Sequence, residues 1–249
     1  MRVLVTGAAS GIGRATCLRL ARDAGAQGRK AQIAAVDIGP SAGLDSLLDE
    51  LCKQNAEPLA LHADMGTADG PGRAVADAAS RFGGLDGLVS DAGINRPGPL
   101  VDYAVDDWDR VFAVNTRATW LLAKAAHAAL KASRGAIVAI GSMSGSNPHA
   151  NLGAYGPSKA AVIMLVQVLA QEFGRDGIRV NAVSPGMVRT WPTSSRSCSG
   201  PTRATSTATT SSWTAASRAT SSGACRASRR SPEARPLRGQ PPATPCVLT

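Results

Sequence analysis

Six short apolar runs punctuate the first 190 residues: Arg2–Thr6, Gln32–Val36, Pro58–His62, Leu85–Val89, Ala136–Ile140 and Arg179–Val183. Segments with helical periodicity separate them. Leu44, Leu47, Leu48 and Leu51 recur at i, i+3, i+4, i+7, and so do Val75, Ala78, Ala79 and Phe82. Each quartet forms the apolar stripe of an amphipathic helix. Longer helices are predicted from Asp107 to Leu130 and from Tyr155 to Phe173. In the second, Val162, Ile163, Leu165, Val166 and Leu169 predict burial on more than one side. Strand–helix–strand alternation of this kind predicts an α/β fold, a parallel sheet covered by helices on both faces.

The pattern stops at about Thr190. The 60 residues from there to Thr249 contain 23 Ser or Thr and seven Pro, and only three of Leu, Ile, Val or Phe. So few large apolar residues cannot build a core, and residues 191–249 are expected to be a disordered low-complexity tail. An out-of-frame reading of GC-rich codons yields the same Arg, Ser, Thr, Ala and Pro, and both origins stay open. The expected division is a domain over residues 1–190 and a tail over 191–249.

Charge first points elsewhere. The 249 residues carry a net +9, the balance of a protein that binds an anionic polymer or surface. Its distribution removes that reading. Eight arginines and one glutamate put +7 in the tail, while 19 basic and 17 acidic residues leave +2 for the rest. The tail has no folded nucleic-acid motif, so neither a nucleic-acid nor a membrane partner is expected. No apolar run approaches the roughly 18 residues of a membrane span, and the opening Met1-to-Gly7 run is too short for a signal peptide. Five cysteines without a C-x-x-C pair indicate neither a disulfide framework nor a metal site, which fits a cytoplasmic location. His62 and His127 read as unpaired.

Candidate chemistry begins at Thr6-Gly7-Ala8-Ala9-Ser10-Gly11-Ile12-Gly13, between the first strand and the first helix. Glycines there allow a sharp turn and close approach of a pyrophosphate to the helix N–H groups. Asp37, ending the second strand 24 residues past Gly13, is placed to accept hydrogen bonds from ribose hydroxyls and to repel a 2′-phosphate. Ser10 and Ile38 add no positive charge. The expected cofactor is NAD, preferred over NADP.

Tyr155 and Lys159 stand at i and i+4, on one helix face. A free phenol titrates at about 10, too high for proton exchange at neutral pH, and an ammonium one turn away favours the phenolate. Ser142, at the end of the fifth strand, adds a hydroxyl at the edge where such sheets bind ligands. Ser144, Asn147, His149 and Asn151 lend this side a polar tone that leans toward a polyol or sugar.

With these motifs in this order, residues 1–190 resemble the short-chain dehydrogenase/reductase family. Asp64 after the third strand, Asn115 in Val114-Asn115-Thr116 and Pro185-Gly186 after the sixth strand extend the resemblance. It implies a Rossmann-type doubly wound sheet and NAD-dependent hydride transfer between a secondary alcohol and its ketone. It also implies a catalytic tetrad of Asn115, Ser142, Tyr155 and Lys159. Tyr155 would be the general acid/base, Ser142 would orient the carbonyl, and Asn115 would support a water-linked relay through Lys159. The implied cofactor residues are Thr6, Gly7, Ser10, Gly11, Ile12, Gly13, Asp37, Asp64, Met65, Asp91, Ala92, Gly93, Tyr155, Lys159, Pro185, Gly186, Val188 and Thr190. Asp64 would lie near the adenine, and Pro185, Gly186, Val188 and Thr190 around the nicotinamide. Two further readings are a 3-oxoacyl thioester reductase and a catalytically impaired dinucleotide-binding remnant.

Two departures stand out. The family usually shows Asn-Asn-Ala-Gly after the fourth strand, where this chain has Ser90-Asp91-Ala92-Gly93, so a carboxylate replaces an amide. The family's substrate lid and seventh strand have no counterpart in the tail, and a missing seventh strand is expected. The resemblance implies a homo-oligomer with the Asp107–Leu130 and Tyr155–Phe173 helices as one contact. Without the C-terminal contact, a dimer or weakened tetramer is expected.

Overall fold

A computed structural model of the chain describes residues 1–186. The tail, the missing seventh strand, Val188 and Thr190 lie outside the described residues. The described residues all belong to one compact unit.

Alternation along the strands explains how the chain layers itself. In β1 (Arg2–Thr6), Val3 and Val5 point to one face and Leu4 to the other. In β2 (Gln32–Asp37), Ile33 and Ala35 oppose Ala34 and Val36 in the same way. Successive residues of a strand face opposite sides, so an unbroken apolar run requires cover on both. One face is covered by α1 (Gly11–Ala26) and α2 (Ala42–Lys53), through Cys17, Ala21, Leu44, Leu47 and Leu51. The other is covered by α3 (Gly70–Phe82), α5 (Ala118–Ser133) and α6 (Tyr155–Gly174), through Val75, Ala78, Leu122, Leu130, Val162 and Val166.

The remaining strands are β3 (Glu57–His62), β4 (Gly87–Ser90), β5 (Ala136–Ile140) and β6 (Arg179–Val183). All pair in parallel, in the order β3-β2-β1-β4-β5-β6. This is the doubly wound Rossmann-type sheet, with its switch point between β1 and β4, where ligands bind beyond the carboxyl ends of the strands. No helix among the described residues is long and apolar enough to cross a membrane.

Three sequence expectations are corrected. The predicted Asp107–Leu130 helix is interrupted: α4 (Val105–Phe112) passes through a π-turn at Ala113–Arg117 before α5. Apolar periodicity runs through the turn and hides it. In α6 only one face is buried, and Met164 and Val168 are exposed. His127, read as unpaired, bonds Asp176 at 2.8 Å, with Lys131 on the other carboxylate oxygen.

Candidate active site

The turn after β1 is shaped by close approach. Gly7 takes a left-handed φ of +67°, which turns the chain from the strand toward α1. A Cβ on Gly13 would sit 2.3 Å from the Gly7 carbonyl oxygen, so only glycine lets the first turn of α1 lie against the end of β1. Ser10 precedes the helix in an extended conformation and its side chain does not cap it. The first N–H groups of a helix have no partner within it and carry its positive end. Here they border a cavity of about 300 Å³.

Ten residues expected to hold a dinucleotide line that cavity: Gly7, Ser10, Gly11, Ile12, Asp37, Asp64, Met65, Asp91, Ala92 and Gly93. Thr6 and Gly13 shape it from behind. The buried Thr6 hydroxyl accepts the N–H groups of Asp91 and Ala92, both at 3.0 Å, tying the ends of β1 and β4 together. Asp37 accepts the Ala9 N–H at 2.9 Å and the Ile38 N–H at 2.8 Å, so it also holds the glycine turn. Asp64 accepts the Gly66 N–H at 2.7 Å and takes Arg110 Nη2 on both oxygens, at 2.9 and 3.0 Å. The Arg110 guanidinium holds that carboxyl below the usual carboxylate range. Arg110, on α4, is a lining residue the sequence reading missed. Its partner lies 46 residues away, and no local pattern marks it.

A second cavity, of about 570 Å³, shares Ile12, Asp91, Gly93 and Ile94 with the first, so the two adjoin. Ser142, Tyr155, Lys159, Pro185 and Gly186 all line it. Ser142 follows β5 in an extended conformation, its Oγ accepting the Ser144 N–H at 3.1 Å. The turn Met143–Gly145 then packs on the start of α6. A Cβ on Gly145 would lie 2.8 Å from the Lys159 backbone, so the turn after Ser142 lies close against α6, whose first residue is Tyr155. Lys159, one turn on, is buried and donates to the Ile140 carbonyl at 2.7 Å. Its Nζ lies 5.9 Å from the Tyr155 ring centroid. Burial pulls the ammonium down to about 8, against the opposing charge of Asp91.

Asn115 stands behind the cavity rather than in its lining. It lies in the π-turn, an insertion that re-aims side chains and recurs at functional sites. Its Oδ1 accepts the Ile94 N–H at 2.8 Å, and its Nδ2 donates to the Ile94 carbonyl at 3.0 Å and Ser158 Oγ at 2.9 Å. The amide thus clamps the loop after β4 to α6. A Cβ on Gly93 would be 3.3 Å from both Asn115 Oδ1 and Lys159 Nζ. Ser144 and His149 line the larger cavity, whereas Asn147 and Asn151 do not. Ile94, Met143 and Leu152 make its wall more apolar than the sequence indicated.

The family model for short chain dehydrogenases matches residues 1–197. The chain belongs to the short-chain dehydrogenase/reductase family. Members of this oxidoreductase family act on hydroxyl and keto groups, and this chain shares their fold and motif order. The (3R)-3-hydroxyacyl-CoA dehydrogenase of Rattus norvegicus is 40% identical over 202 residues, covering 75% of this chain and 73% of the relative. An NAD+-bound xylitol dehydrogenase superposes with a TM-score of 0.68 at 32% identity, over 74% of this chain and 69% of that one. A short chain dehydrogenase from Burkholderia cenocepacia J2315, solved with NADP, gives 0.69 at 37% identity, over 74% and 73%.

Proposed function

We propose that this short-chain dehydrogenase/reductase transfers hydride between a secondary alcohol and NAD, with Tyr155 as general acid/base. The observation that carries the reading is the meeting of Ser142, Tyr155 and Lys159 in one cavity that adjoins the glycine-walled cavity bordered by Asp37. The donor set fits a nicotinamide dinucleotide: free helix N–H groups for its pyrophosphate, a carboxylate for its ribose, and an apolar wall near Ile12 and Ile94. Bound NAD supplies a ring carbon that accepts the hydride. The chain's own residues supply position and proton transfer. Ser142 Oγ donates to the substrate oxygen and orients it. The Tyr155 hydroxyl exchanges a proton with that oxygen, with the Lys159 ammonium 5.9 Å from its ring centroid. Lys159 also donates to ribose hydroxyls. Asn115 acts as a positioning residue, fixing Ile94 and the loop beneath Lys159.

Asp37 supports NAD over NADP, because a second negative group beside a 2′-phosphate costs Coulomb energy. Arg110, the one cation among the described residues lining that cavity, is already paired with Asp64. Residues 1–190 form the catalytic domain in this reading, 191–249 a tail outside it, and the chain is a cytoplasmic dimer or weakened tetramer. Light scattering tests the last point, and a clean tetramer contradicts it.

The substrate is a small secondary alcohol or its ketone. A 3-hydroxyacyl thioester is a second reading, favoured by the name of the rat relative and by the apolar wall of Ile94, Met143 and Leu152. Titration with NAD and NADP, followed by turnover on polyols, small secondary alcohols and 3-hydroxyacyl thioesters, separates these readings. NAD binding with turnover on one class supports the proposal. NAD binding without turnover on any class supports the impaired remnant instead.

A further inference from the structure

Asp91 ends β4 at the junction of the two cavities and lines both. Its Oδ2 is wedged between the glycine turn and the helix that follows it. A Cβ on Gly7 would lie 3.3 Å from this oxygen, and one on Gly13 would lie 2.8 Å away. The Gly13 N–H, in the first turn of α1, faces the carboxylate and favours its charged form. The carboxylate therefore stands at the positive end of the helix whose N–H groups a pyrophosphate would use. A negative group there takes up part of the field available to an incoming anion and repels that anion directly.

The geometry points to Asp91 as the residue that sets the dinucleotide affinity of this chain, holding it below what the cradle would otherwise reach. The inference rests on the dinucleotide reading above. An amide at this position accepts the same N–H without charge, so Asp91→Asn tightens binding. NAD and NADP gain alike, because the pyrophosphate is common to both. This separates Asp91 from Asp37, whose replacement changes the ratio between them.

The neighbouring charges set how the effect varies with pH. From α6, the Lys159 ammonium faces Asp91 and partly offsets it. From α1, Cys17 is pushed up by burial to about 12 and stays a neutral thiol. Asp37 from β2, and Asp64 with its Arg110 partner, border the same cavity. Burial raises the Asp91 carboxyl above the usual carboxylate range. As the pH falls through that raised value, the wild-type carboxylate takes up a proton, and binding strengthens toward that of the uncharged variants.

The test is equilibrium binding of NAD and NADP, followed by fluorescence or calorimetry, on full-length wild type, Asp91→Asn and Asp91→Ser. Thermal melts confirm that each variant folds. At neutral pH both variants are expected to bind both dinucleotides about five- to tenfold more tightly. The gap to wild type is expected to narrow as the pH is lowered. Unchanged or weaker binding by either folded variant, with wild type binding normally, overturns the role of Asp91 and leaves the dinucleotide reading standing. Binding by none of the three proteins overturns both.

Discussion

At the residue scale, Asp37 serves two demands at once. One oxygen receives the Ala9 N–H and so holds the glycine turn, while the carboxylate borders the cavity proposed for the cofactor. Asp37→Ala is therefore expected to weaken NAD binding roughly tenfold while leaving NADP no weaker. It also costs about 1 kcal/mol of stability from the lost acceptor. Paired titrations and a denaturant melt check the two effects, and unchanged selectivity refutes Asp37 as the ribose ligand. Tyr155 and Lys159 were legible from sequence because a helical turn fixes their relation, and Asp37 because a strand end does. Arg110 on Asp64 and His127 on Asp176 were not. Each pair closes over more than forty residues of intervening chain and leaves no periodic trace.

At the element scale, the site depends on where strands stop. β1 and β4 end side by side because one buried hydroxyl, Thr6 Oγ1, accepts two consecutive N–H groups from the β4 end. Thr6→Val keeps the shape but leaves both donors without an acceptor, a cost of about 1–3 kcal/mol. Thr6→Ser is expected to restore most of it, and chemical denaturation of the two variants decides. The six strands were readable as apolar runs since both faces of the sheet are covered; three predicted runs match their strands and the other three differ by only one or two residues at an end. The π-turn at Ala113–Arg117 was not readable. Val111, Val114, Ala118 and Leu122 keep an apolar stripe through it, so the pattern continues where the hydrogen bonding changes. That turn is what aims Asn115 at Ile94.

At the scale of the whole molecule, the start of β1 is fastened to the chain entering β4. Arg2 pairs with Asp86 at 2.6 Å, and Asp86 also accepts the Arg2 N–H at 2.8 Å. The Arg2 guanidinium holds the Asp86 carboxyl below the usual range. A carboxyl lowered in the folded state stabilises above its unfolded pKa, and that contribution is lost as the pH falls through the folded value. Asp86→Asn is thus expected to lower stability by about 1 kcal/mol at neutral pH and to flatten the acid limb of the melting curve. Melts across the acid range check the sign. Charge over the whole chain has the opposite lesson, because +7 of the +9 lies beyond Thr190, outside the described residues.

The central claim is proton exchange at Tyr155 coupled to hydride transfer to NAD. Its most direct measurement is the appearance of reduced nicotinamide absorbance on mixing the full chain with NAD and each alcohol of the panel, for wild type and Tyr155→Phe side by side. Wild type is expected to turn over one alcohol class, and Tyr155→Phe to lose about 10²–10⁴ in kcat while binding NAD as before. Equal turnover by the two proteins would contradict the account.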